Sequence, residues 1–232
     1  MTKQNLEALL TELGCRTPVK EIPSDRFGII EEFLITEMEY RKQHRIKRLL
    51  RASGIKQVKT LSQFDWHFNP KVSKEDTMTF VNSPWIDTAA NLVLIGDTGL
   101  GKSHIGSALC YEAILLGHST AFITAFDLTS KIQKSLSPTA KIDYYSRIKV
   151  LCIDELGYTY HKKEDTDILF QVISKRSEML PTIISTNLSP KDWGTILTGA
   201  AAAAILDRLS FNRRFLTFEG RSYRLSRKQK LK

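Results

Sequence analysis

Cysteine, long apolar runs and an apolar leader are scarce or missing in this 232-residue sequence. The longest apolar stretch, Ala200 to Leu206, is far too short to span a bilayer. The opening residues, MTKQNLEALL, are polar and amphipathic, without the apolar core or cleavage site of a secretory leader. Three cysteines, Cys15, Cys110 and Cys152, are scattered without metal-type spacing. Cys152 lies in an apolar strand-like run, where a thiol packs as a small hydrophobe. Together these absences argue against a membrane span, a disulfide scaffold and a zinc module, and predict a cytoplasmic protein. Acidic residues are also missing locally. Residues 41–59 carry eight Lys/Arg and no acid, and residues 213–232 carry eight Lys/Arg and one Glu. These segments hold +8 and +7 of a net +9, which leaves −6 for the rest. Two basic segments around an acidic middle suit a polyanionic partner.

What is present is periodic. Leu6, Leu9, Leu10 and Leu13 predict a helix over 3–14. A longer helix should open at Pro23-Ser24, with Ser24 as N-cap, and run to about Ala52 before Ser53-Gly54. Arg41, Arg45, Lys47, Arg48 and Arg51 fall on one side of its wheel, opposite Ile46, Leu49 and Leu50; Lys42 departs from that pattern. The aromatic stretch LSQFDWHFNP reads as a joint to the next domain, and a helical pattern surrounds Thr77 to Trp85. Strand-like runs then appear at 92–95, 119–123, 150–153, 182–186 and 214–218. Helical patterns lie at 102–116, 126–136, 164–179 and, in two pieces, 189–210. Such alternation predicts an α/β fold with a mostly parallel sheet. The boundaries expected are a helical N-terminal domain over 1–62 and an α/β domain over 63–232.

The chemistry begins at GDTGLGKS, which matches G-x-x-x-x-G-K-[ST] from Gly96 to Ser103. Glycines let backbone N–H groups turn inward toward phosphate oxygens. Gly96, Asp97, Thr98, Gly99, Leu100, Gly101, Lys102, Ser103 and His104 are therefore the expected nucleotide-binding stretch. Lys102 should reach the β- and γ-phosphates, and Ser103 should offer a hydroxyl to Mg²⁺. Asp97 is tolerable beside a triphosphate only if its side chain points outward. Further on, KVLCIDEL is an apolar strand ending in two acids. Asp154 there can hold Mg²⁺ through water, and Glu155 can activate the attacking water. At the end of PTIISTN, Asn187 or Thr186 is placed to contact the γ-phosphate or that water.

GDTGLGKS, CIDELGY, TIISTNLSPKDW, ILDRL and GRSYRL, in this order and spacing, resemble AAA+ ATPases of the IstB/DnaC group. The nearest resemblance is to the IstB-like helper ATPases of insertion-sequence transposons, and it includes YRKQHRIKRLLR and FDWHF in the N-terminal part. The resemblance implies a P-loop AAA+ fold with a small helical N-terminal domain, ATP and Mg²⁺ as cofactors, and oligomers on double-stranded DNA. It also implies a DDE-type transposase as partner, assisted in target selection and insertion. By motif, Lys102 and Ser103 match Walker A, Asp154 and Glu155 Walker B, and Asn187 sensor 1. Arg208 matches the arginine finger and Arg224 the sensor 2 arginine. The basic helix, Arg41, Lys42, Arg45, Lys47, Arg48 and Arg51, becomes the expected DNA-binding face. A DnaC-like replicative helicase loader, with the same core but single-stranded DNA, is the alternative reading.

Overall fold

A computed structural model describes residues 3–158, 162–195, 197, 201–210 and 212–229. Of the segments singled out above, residues 1–2 of the opening stretch, 196 and 198–200 within 189–210, and the last three residues of the basic C-terminus lie outside this range. The chain divides into two compact units, Met1–Arg48 and Leu49–Lys232.

In the first unit, helix α1 (Lys3–Glu12) and the start of helix α2 (Phe27–Ala52) pack through Leu6, Leu10, Val19 and Leu34. Helix α1 ends earlier than its leucine period suggests, because Gly14 takes φ 71° and Cys15 N–H closes back onto Leu10 O at 2.8 Å. Ser24 is not the side-chain cap expected of it. It lies inside a short 3-10 turn, Ser24–Arg26, whose N-cap is Pro23 and which makes no side-chain cap bond. The turn feeds straight into α2, since Phe27 N–H donates to Ser24 O.

The division between units falls inside α2, earlier than the boundary expected at residue 62. Residues 49–62 pack with the second unit for identifiable reasons. Phe122 N–H donates to Ser53 O at 2.7 Å, and Ile55 and Leu61 lie against a cluster of the larger core.

The second unit is built on five parallel strands: β1 (Asn91–Gly96), β2 (Thr120–Thr124), β3 (Val150–Leu156), β4 (Thr182–Thr186) and β5 (Arg213–Phe218). Their order is β2-β3-β4-β1-β5. Side chains alternate along each strand, so Leu92 and Leu94 enter one core while Val93 enters the other. The first core packs against helix α4 (Lys102–Leu115) and takes in Phe80 of helix α3 (Lys74–Val81). The second packs against α5 (Ala125–Gln133), α6 (Pro138–Arg147), α7 (Lys163–Arg176) and α8 (Ala201–Ser210). Helix α9 (Tyr223–Gln229) follows β5. Cys152 is buried against Cys110; burial pushes its thiol pKa up, which suits a packing role. Among the described residues no helix is long and apolar enough to cross a membrane.

Helix α6 was not anticipated. Pro138 starts it, and Ile142 and Tyr145 give it only a narrow buried face. What closes it is Arg176 at the end of α7, a wholly buried arginine. Its guanidinium donates to the carbonyls of Tyr145, Ser146, Ile148, Lys149 and Pro181 and to Thr182 Oγ1, at 2.6 to 3.5 Å. Burial lowers its pKa to about 9, which leaves it charged at neutral pH. One cation thereby satisfies the end of α6 and the approaches to β3 and β4. Arg176→Met should cost about 3 kcal/mol or more of unfolding free energy, because those carbonyls stay buried without a donor. A urea midpoint that barely moves would show that other groups hold this corner.

Candidate functional site

Strand β1 ends at the sheet's C-terminal edge and turns into a loop whose backbone few residues but glycine adopt. Gly99 and Gly101 have φ of 85° and 97°, and Gly101 is the N-cap of α4. Neither has room for a side chain. A Cβ on Gly99 would lie 2.1 Å from Ser222 Oγ, and one on Gly101 would lie 2.4 Å from the Phe64 ring. The loop is thus wedged between a segment that precedes the sheet and one that follows it. Lys102 is buried, with its ammonium donating to the carbonyls of Gly96 at 2.6 Å and Asp97 at 2.8 Å. Tyr158 Oη lies 3.3 Å from that ammonium and 3.3 Å from Thr98 Oγ1.

The acids arrive on β3, with β4 between it and β1. The β3–β4 register shifts between Ile153 and Leu156, and Glu155 has φ 59°. Such an irregularity re-aims side chains at a strand end. Asp154 stays buried while Glu155 lines an open cavity. Ser103 Oγ donates to Asp154 Oδ1 at 3.0 Å, and Ser185 Oγ donates to the same oxygen. Glu155 N–H in turn donates to Ser185 Oγ at 3.1 Å. One serine on β4 therefore fixes both acids. Thr186 Oγ1 accepts from Leu188 N–H, whereas Asn187 Oδ1 is buried, has no hydrogen-bond partner and lies beside Gly157. Of the two residues expected there, Asn187 has the unspent polar atom.

The cavity has a volume of about 490 Å³. Thr98 to His104, Glu155 and Arg224 line it. Gly96 and Asp97 do not, and the exposed Asp97 reaches Lys102 through its carbonyl alone. Val58, Phe64, Phe68 and Tyr223 form an apolar wall suited to a flat ring. His104 Nε2 is bonded to Thr60 O at 2.8 Å, which ties α4 to that wall. Burial lowers the His104 pKa, against the opposing pull of the Thr60 carbonyl and with a smaller push from Lys59. A hydroxyl that lines the cavity and a buried carboxylate 3.0 Å behind it fit a hard divalent cation. Among the described residues no group of three or more His, Cys, Asp or Glu forms a metal cage, so phosphates would have to complete such a site.

Other expected residues lie elsewhere. Arg208 is exposed near the end of α8, paired with Asp207 at 2.9 Å, at the opposite end of the parallel sheet from the glycine loop. Lys42, Arg45, Lys47, Arg48 and Arg51 are exposed on α2. Arg41 is exposed too, but it is bonded to Glu37 at 2.6 Å and donates to Leu13 O at 3.0 Å, serving the first unit's own packing. Sequence reasoning missed Tyr158, Ser185, Thr60, Phe64 and Phe68. The alternate aromatics Phe64, Trp66 and Phe68 carried a signal, but they read as a joint rather than a wall.

The family of IstB-like ATP binding proteins matches residues 6–231 of this chain. A protein of Geobacillus stearothermophilus named as an ATP-binding protein of insertion sequence IS5376 is 34% identical over 206 residues, covering 85% of this chain and 82% of that one. One from Bacillus thuringiensis subsp. berliner, named likewise for IS232, is 29% identical over 193 residues, covering 82% and 77%. Among solved structures, DnaI superposes with a TM-score of 0.59 at 21% identity, over 71% of this chain and 89% of that chain. That likeness speaks to the fold alone, and the fold is the expected AAA+ P-loop architecture.

The lowered His104 pKa has a consequence in acid. The unfolded imidazole takes up its proton near pH 6.5, before the folded one does, so stability present above that pH is lost as the pH falls below it. His104→Gln should remove that part of the slope in urea titrations. A variant that keeps the whole slope would assign it to another group.

Proposed function

The chain belongs to the IstB-like ATP-binding protein family, and from that premise we propose that it is the helper ATPase of an insertion-sequence transposon. It binds and hydrolyses ATP with Mg²⁺, assembles on double-stranded DNA, and assists a DDE-type transposase in target selection and insertion. The observation that carries the catalytic half is the hydrogen-bonded chain from Ser103 through Asp154 and Ser185 to Glu155. It sets two acids in different tasks. Asp154, buried and bonded to Ser103, is the residue that would hold Mg²⁺ with that hydroxyl. Glu155, turned into the cavity, accepts a proton at its carboxylate from the attacking water. Mg²⁺, when bound, would supply charge neutralisation at the phosphates. Lys102 exchanges loop carbonyls for the β- and γ-phosphates, and Asn187 orients the water or γ-phosphate. Arg224 contacts the nucleotide from α9.

Arg208 serves a neighbouring subunit. Its place at the sheet end away from the glycine loop supports a finger supplied in trans, and hence a head-to-tail assembly. The match over residues 6–231 takes in the N-terminal helices as well as the core, which favours the transposition reading over a helicase loader. The exposed cations of α2 support contact with a phosphate backbone.

Lys102→Ala should abolish ATP binding. Glu155→Gln should keep ATP affinity within a few-fold while slowing phosphate release by about a hundredfold or more. Turnover of the Gln variant at the parent rate would remove Glu155 from its assigned role. On the DNA side, Lys47→Gln, Arg48→Gln and Arg51→Gln together should weaken duplex binding regardless of sequence. The slope of log affinity against log salt should flatten by about one unit per lost phosphate contact. An unchanged slope in a filter-binding titration would move the DNA site off α2.

A further inference from the structure

Two segments outside the alternating core close the nucleotide cavity: residues 57–69 ahead of β1 and residues 220–224 behind β5. One side chain joins them. Asn69, only 7% exposed, donates from Nδ2 to Arg221 O and accepts at Oδ1 from Arg221 N–H, both at 2.9 Å. Opposed bonds from one amide to one residue's backbone fix both position and orientation. Gly220 makes the approach possible: its φ is 137°, and a Cβ there would lie 2.2 Å from Asn69 Oδ1.

The consequences appear in the next three residues. Ser222 fills the space over Gly99, Tyr223 N–H donates to Gly99 O at 3.0 Å, and Arg224 lines the cavity. Neighbouring rings reinforce the arrangement. Phe68 meets Tyr223 edge-on at 5.0 Å, and the Arg221 guanidinium lies 5.6 Å over Phe68. Asn69 itself borders the cavity, but both ends of its amide are engaged by Arg221, so the polar atoms it holds act on that turn.

We propose that Asn69 is a positioning residue for nucleotide binding: its amide holds the Arg221–Arg224 turn so that Tyr223 pins the glycine loop and Arg224 faces the phosphates. This rests on the cavity being the ATP site. The same arrangement makes the glycine loop and α9 one mechanical piece, although residues 69 and 221 are far apart in sequence.

The test uses the full chain and a fluorescent ATP analogue, titrated into the parent and into Asn69→Ala, Gly220→Ala, Arg224→Ala and the Asn69→Ala/Arg224→Ala pair. Melting temperatures are recorded for each. Asn69→Ala should weaken binding about tenfold, the scale of two lost hydrogen bonds. Gly220→Ala should do the same with the amide intact, because its methyl displaces Asn69. The loss in the paired variant should fall short of the product of the two single losses, since part of the amide's effect passes through that arginine. Hydrogen exchange at the Tyr223 amide should speed up in folded Asn69→Ala, which a general loss of stability would not confine to that site. Binding within twofold of the parent, or losses that multiply in the pair, would overturn the positioning role. A parent that binds no ATP analogue would instead sink the ATP reading itself.

Discussion

A cation buried away from carboxylates has to be surrounded by carbonyl oxygens, and this sheet uses that constraint at both ends. At the N-terminal end, Arg176 gathers carbonyls from α6 and from the approaches to β3 and β4. At the C-terminal end, Lys102 gathers those of Gly96 and Asp97. The two differ in what they can exchange. Arg176 is wholly buried among the carbonyls it bonds, so it is a fixed joint. Lys102 borders a cavity, and its carbonyl partners can yield to phosphate oxygens. Strand order turns this difference into a site. With β1 between β4 and β5, the glycine loop lies next to Thr186 and one strand from Asp154. The acids, the lysine and the serines therefore meet at one edge.

Much of this was legible in the sequence because periodicity and glycine chemistry are local. The five strands and the helices between them fall close to where apolar runs and their spacing put them, and GDTGLGKS carries its conformation in its glycines. The failures share a different character. Helix α6 is held by Arg176, distant in sequence and unremarkable in composition. Residues 49–62 pack with the larger unit through Ser53 to Phe122 and Thr60 to His104. Arg41 looked like one more cation in a basic run, yet it is spent on Glu37 and Leu13. Each miss is a long-range polar contact or a tertiary pairing, and such contacts leave no periodic trace.

The site shows the same division. Types read from motifs, Lys102, Ser103, Asp154 and Glu155, meet as their spacing implied. Ser185 was invisible by comparison, since a serine near a strand end is common. It matters because one hydroxyl can donate to Asp154 while accepting from the Glu155 backbone, and the register shift in β3 turns the second acid out of the sheet. On a regular strand, adjacent residues point to opposite faces, which would turn Glu155 away from the edge that Asp154 shares with Ser103. With the shift, Glu155 faces the cavity while Asp154 stays bonded to Ser103. Two neighbouring carboxylates thus acquire different surroundings from a single irregularity in the backbone.

The walls of the cavity come from outside the repeating βα pattern, and this bears on how the protein can couple ATP to a partner. The glycine-loop end belongs to the sheet edge, whereas the apolar wall is a segment ahead of β1 tied to α4 by His104 and to the turn before α9 by Asn69. Nucleotide contacting both ends would press on α4, on that wall and on α9 together. Arg208, at the far edge of the sheet, is out of reach of this cavity, so any cation it lends must go to a different subunit. On the proposed reading, occupancy would be sensed within one subunit through α9, while turnover would wait on a second. An ATPase that hydrolysed ATP only when assembled would need that separation between holding the nucleotide and completing the site.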